Sequence, residues 1–108
     1  MRRAFSRRSP EVLLLPTVLT EMVTAFRENV PAITHAQIVD ALEALLDMPF
    51  TIVDRDIVEA AVGRYRGLRA RDWEDCLIAA CATALADGRL ATYDRSLASL
   101  PGVVAVAP

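Results

Sequence analysis

The sequence predicts an α/β domain, a three-layer α/β/α sandwich built on a parallel sheet. Four short apolar runs, Val12–Leu15, Phe50–Val53, Leu90–Tyr93 and Val103–Val106, lack the polar alternation of a half-exposed strand. The stretches between the first three runs carry apolar residues at helical spacing, so strands and helices alternate. At 108 residues the chain is one domain, 1–108, with no repeat, linker or low-complexity segment inside it.

Each element has a local reason. Val12–Leu15 is closed by Pro16, and Thr17 opens a helix to about Glu28 in which Val18, Met22, Val23 and Phe26 form the apolar stripe. Asn29 to Pro31 break it. Thr34-His35-Ala36-Gln37 reads as a capping box, in which the hydroxyl and the amide side chain each bond the other residue's backbone N–H. The helix that follows shows Ile38, Val39, Leu42, Leu45 and Leu46 on one face and ends before Pro49. After Phe50–Val53, Asp54 or Asp56 caps a helix carrying Ile57, Val58, Ala61, Val62 and Tyr65, weakened at its end by Gly63 and Gly67. Asp72 opens a further helix, apolar all round from Cys76 to Leu85 and so expected to be packed on several sides, and Gly88 suits its C-terminal turn. Pro101-Gly102 turns the chain between the last two strands.

Composition narrows the function. No apolar run approaches the ~18 residues a membrane span needs, and the start, MRRAFSRRSPEVLLLP, lacks a proper apolar h-region with a cleavage site. No membrane association or secretion is therefore expected. Net charge is −2, which gives no general affinity for nucleic acid. All twelve basic residues are arginines, and eight of them cluster, Arg2, Arg3, Arg7 and Arg8 in an N-terminal arm, residues 1–10, and Arg64, Arg66, Arg69 and Arg71 further on; both clusters read first as solvated surface. Cys76 and Cys81 point about 140° apart around one helix and form neither a disulfide nor a CxxC motif. They are expected to be small core residues in a reducing cytoplasm. His35, without a metal-spaced partner, is expected at the surface or in a cap.

The acids carry the remaining information. Asp72 and Asp75 suit an N-cap and a first helical turn, where the helix dipole stabilises each by ~0.3–1 kcal/mol. Asp94 suits an Asx-type turn before Ser96. These placements are also where a parallel sheet opens its ligand edge: Asp94 at a strand's C-terminal end, and Glu21 one turn into the helix after the first strand. Glu21, Asp75 and Asp94 gathered in one cleft would repel unless a divalent cation neutralised them or one stayed protonated. Oxygen ligands without His or Cys select a hard ion, Mg²⁺ or Mn²⁺, suited to phosphodiester hydrolysis.

Three stretches, LLLPTVLTEMVTAFR, DWEDCLIAACA and LATYDRSL, resemble the acidic motifs of PIN-domain proteins, especially VapC-type toxins of bacterial toxin–antitoxin pairs. PGVVAV is similar to that family's last strand, and the resemblance covers about residues 12–108. It implies a PIN-like (Rossmann-like) fold and a Mg²⁺-dependent endoribonuclease that cuts RNA with a metal-activated water. Glu21, Asp75 and Asp94 stand at the positions of metal ligands and catalytic acids. It implies supporting roles for Asp72 and for Thr92, the latter as a hydroxyl that orients a carboxylate. It further implies a cytoplasmic protein with an RNA substrate, an antitoxin partner and a homodimer.

The chain departs from the family at its start. The family's first strand ends in an Asp and lies centrally in the sheet, between strands similar to Val12–Leu15 and Leu90–Tyr93. MRRAFSRRSP is no such strand, and Glu11 stands at the wrong end of Val12–Leu15 for this cleft. A shortened, catalytically impaired member acting through protein–protein binding is therefore the alternative expectation, with two strands left seeking partners.

Overall fold

The structure is a computed structural model and describes residues 12–69 and 71–108, so the Arg-rich arm, residues 1–10, and Glu11 lie outside the described residues. Four short strands and five helices alternate: β1 Leu13–Leu14, α1 Pro16–Asn29, α2 His35–Leu46, β2 Thr51–Ile52, α3 Arg55–Gly67, α4 Trp73–Ala86, β3 Arg89–Ala91, α5 Arg95–Ala98 and β4 Val104–Val106. The mixed α/β class and the parallel pairing agree with the sequence. The sheet itself comes in two parts. β1 pairs with β2, with Leu14 opposite Ile52, and β3 pairs with β4, with Leu90 opposite Ala105. Among the described residues no strand joins the two pairs, so a single sheet between two helical layers is not observed.

The helices begin and end where their chemistry says. Pro16 opens α1 at a position where its missing N–H costs nothing. Both bonds of the Thr34–Gln37 capping box form, at 3.1 and 2.9 Å. α3 runs through Gly63 and reaches Gly67 because Val62 and Tyr65 are buried. Each such side chain contributes ~1.5–3 kcal/mol, more than the ~1 kcal/mol that a glycine costs. At the end of α4, Asp87 and Gly88 both take positive φ, 53° and 86°, and turn the chain into β3. Space decides Gly88 as well as φ: a Cβ there would collide with the Gly102 carbonyl oxygen in the turn before β4.

The main core joins α1, α2, α3 and the first part of α4, with Leu19, Ile38, Leu42, Val58 and Tyr65 fully enclosed. A smaller cluster, Ala79, Leu97 and Leu100, seats α5 against α4. Tyr65 is the hub of the larger one. Its ring lies edge-on to Trp73 with centroids 5.8 Å apart, and its hydroxyl accepts from the Arg27 guanidinium.

Three expectations need correction. His35 begins α2 but is not a surface or capping group: its ring packs on Tyr65, centroids 4.4 Å apart, and both ring nitrogens are buried without a partner among the described residues. α4 is not packed all round. Trp73, Cys76, Ala79 and Ala80 are buried, whereas Leu85 near the helix's C-terminus is 77% exposed. The third helical opening differs too, since Asp54 precedes α3 in a left-handed conformation and makes no side-chain cap.

Candidate functional site

The N-terminus of α4 meets the chain that leaves β3. Asp72 is the N-cap residue of α4, as expected, yet its carboxylate makes no capping bond. Asp75 follows one turn later, partly buried and facing the α5 segment. Asp94 is the N-cap of α5, where Oδ1 accepts the N–H groups of Ser96 at 2.8 Å and Leu97 at 3.4 Å. Ser96 joins the two acids, because its hydroxyl reaches Asp75 Oδ2 at 3.4 Å. The Thr92 hydroxyl accepts the Asp94 N–H at 2.9 Å, so it positions the main chain at Asp94 rather than a carboxylate.

Electrostatics distinguishes Asp75 from its neighbours. Its place in a first helical turn favours the charged form. Burial acts against that form and dominates, followed by the charges of Asp72 and then Asp94; together they raise its pKa above the ordinary 3.8 in spite of Ser96 and Arg71. Asp75 is thus close enough to feel the charges of both Asp72 and Asp94. Glu21 is exposed on α1, and it is not among the charges that act on Asp75. Among the described residues no three Asp, Glu, His or Cys side chains stand close enough together to hold a metal ion.

Among the described residues, three arginines of the second cluster have partners. Arg71 donates to the Ser96 carbonyl at 2.7 Å and to the Ser99 hydroxyl at 2.8 Å, clamping the α5 segment against the start of α4. Arg64 donates to the Pro101 carbonyl at 2.7 Å and to the Thr83 hydroxyl at 3.0 Å, and Arg66 pairs with Glu43. Ser96 and Arg71 are the residues that sequence reasoning missed. The Asx-turn pattern at Asp94 pointed towards Ser96, but nothing local marks Arg71, whose partners lie 25 and 28 residues away.

Cys76, fully buried under Asp75, has its thiol pKa pushed up by burial and then by the Asp75 charge, and Cys81 is shifted the same way by burial and Asp54. Both are free thiols, held in the unreactive form. Comparison with family models, with curated proteins and with solved structures finds no match for this chain.

Proposed function

We propose that this chain is a PIN-like, VapC-type endoribonuclease that uses Mg²⁺ or Mn²⁺ to hydrolyse RNA phosphodiester bonds. One observation carries the reading: Asp75 and Asp94, far apart in sequence, are drawn to one place and linked through Ser96. Helix capping accounts for the Asp94 carboxylate, but it offers no reason to bring a partly buried Asp75 against two like charges.

The donor set fits a hard cation. Asp75 and Asp94 each keep one carboxylate oxygen without a hydrogen bond among the described residues, and an ion such as Mg²⁺ binds through one or two carboxylates while retaining its waters. When bound it would supply neutralising charge and a water acidified for attack on phosphorus. The chain's own part is to hold Asp75 through Ser96, to fix Asp94 through Thr92, and to lock both with the Arg71 clamp. Glu21, exposed on α1, remains the proposed third acid. A ribonuclease assay with Mg²⁺ against EDTA tests the reading: wild type should cut only with the metal, and Asp94→Asn should fall to background. Equal cleavage by both proteins would remove this function.

A second reading rests on a different observation. Among the described residues β1 and β3 each pair on one side only, and Val12, Leu13 and Leu15 are between 41% and 58% exposed. A catalytically impaired PIN-like protein that binds an antitoxin-like segment or a second copy along these edges fits that arrangement. Cleavage of RNA by the isolated chain would remove it.

A further inference from the structure

Beside the acids, α1 and the start of α4 enclose a cavity of about 270 Å³. Its floor is apolar: Val23, and the indole of Trp73, which is 2% exposed and fixed by donating to the Thr20 hydroxyl at 3.0 Å. Its rim holds the carboxylates of Glu28, Asp72 and Glu74, the guanidinium of Arg27 and the hydroxyl of Thr24. The volume is below the ~300–1,000 Å³ of pockets for drug-sized ligands and suits a single flat ring system.

The rim decides which ring. A plain cation would meet Arg27, and a plain anion would meet three carboxylates. The ligand that matches carries donors and acceptors along one planar outline and little charge of its own. Guanine does so: N1–H and the N2 amino group present two parallel donors to a carboxylate, while O6 and N7 accept from a guanidinium. Adenine and cytosine present an amino donor without the adjacent ring N–H, and uracil presents a single ring N–H.

We infer that the cavity between α1 and α4 binds a guanine base, with Glu28 or Glu74 accepting from its N1 and N2 donors and Arg27, whose Nη2 already holds the Tyr65 hydroxyl, donating from its remaining N–H groups to O6 and N7. The inference deepens the ribonuclease reading by naming the base beside the cut. Asp72 lines the cavity and also acts on Asp75, which puts this pocket next to the acid pair.

Trp73 is the only tryptophan in the chain, so its fluorescence reports this cavity directly. The full chain is titrated, without metal, with 5′-GMP, 5′-AMP, 5′-CMP, 5′-UMP and N-acetyl-arginine amide. The expected result is saturable quenching by 5′-GMP at a concentration roughly tenfold lower than by any other nucleotide, the order of discrimination of one bidentate contact. The double variant Glu28→Gln, Glu74→Gln should lose that preference with an unchanged far-ultraviolet circular dichroism spectrum; both side chains are exposed, so the fold is spared. Equal quenching by all four nucleotides, no saturable quenching, or tighter binding of the arginine amide would each overturn the inference. The last result would mark a docking site for a basic protein segment. Because cleavage is not the readout, 5′-GMP binding by a chain that cuts no RNA would overturn the nuclease reading alone, and RNA cleavage without 5′-GMP binding would overturn the pocket alone.

Discussion

Asp94 caps α5 and is also the proposed metal ligand, and single substitutions separate the observed role from the proposed one. Its carboxylate caps α5, and a cap replaced by alanine costs ~1 kcal/mol, whereas asparagine caps as well as aspartate. Asp94→Ala should therefore lower the stability measured by urea unfolding by ~1 kcal/mol, while Asp94→Asn stays within a few tenths and still loses cleavage. Asp75 has the opposite balance. Its folded pKa is raised, so the folded state holds the proton more tightly than the unfolded chain, and stability falls as pH rises from the ordinary 3.8 through the raised value. Asp75→Asn removes that loss. The variant should melt at a higher temperature than wild type at pH 7, the difference shrinking as pH is lowered through that window. The gain is a few tenths of a kcal/mol, because water screens a carboxyl that is only partly buried. A melting temperature lowered by Asp75→Asn at pH 7 would mean that the acid is there for capping alone.

At the scale of the elements, the joins matter more than the helices themselves. Gly88 ends α4 with a positive φ and lies against the Gly102 carbonyl, so one residue sets how α4, β3 and β4 come together. Gly88→Ala should cost more than ~2 kcal/mol in thermal or urea unfolding, from the clash and the φ together. Gly63 offers the control, since a Cβ there meets nothing within 4 Å and its backbone is helical. Gly63→Ala should stabilise by ~0.5–1 kcal/mol. α2 and α3 were legible in the sequence almost to the residue, because the Thr34–Gln37 box and the spacing of Val58, Ala61, Val62 and Tyr65 are local signals. The short helix α5 was not. Its four residues carry no periodicity, and it exists because Asp94 caps it and Arg71 clamps it from another element.

Across the whole molecule, exposed apolar surface gathers on the strands. Leu13 is 58% exposed, Val104 56% and Val106 47%, on pairs that have no third strand among the described residues. Uncovered edges of this kind draw a further chain. The protein should self-associate in a concentration-dependent way by sedimentation, and Leu13→Lys with Val106→Lys should shift it towards the monomer. Since both side chains lie outside the core, the melting temperature should change little. A wild type that stays monomeric at high concentration would show that these edges draw no second copy.

The sequence by itself determined the order of strands and helices, the Thr34–Gln37 cap, and the acids at a helix start and a strand end. These are properties of neighbours, written in residue type and spacing over a few positions. The tertiary structure decided which of the acids meet. Asp75 and Asp94 come together through Ser96 and Arg71, across 21 and 25 residues, while Glu21 is exposed on α1 and is not among the charges that act on Asp75. It also turned His35 inward onto Tyr65 and divided the strands into two pairs. Such outcomes depend on the angle at which one element packs on another, which burial summed over many side chains sets and no short stretch of sequence spells out.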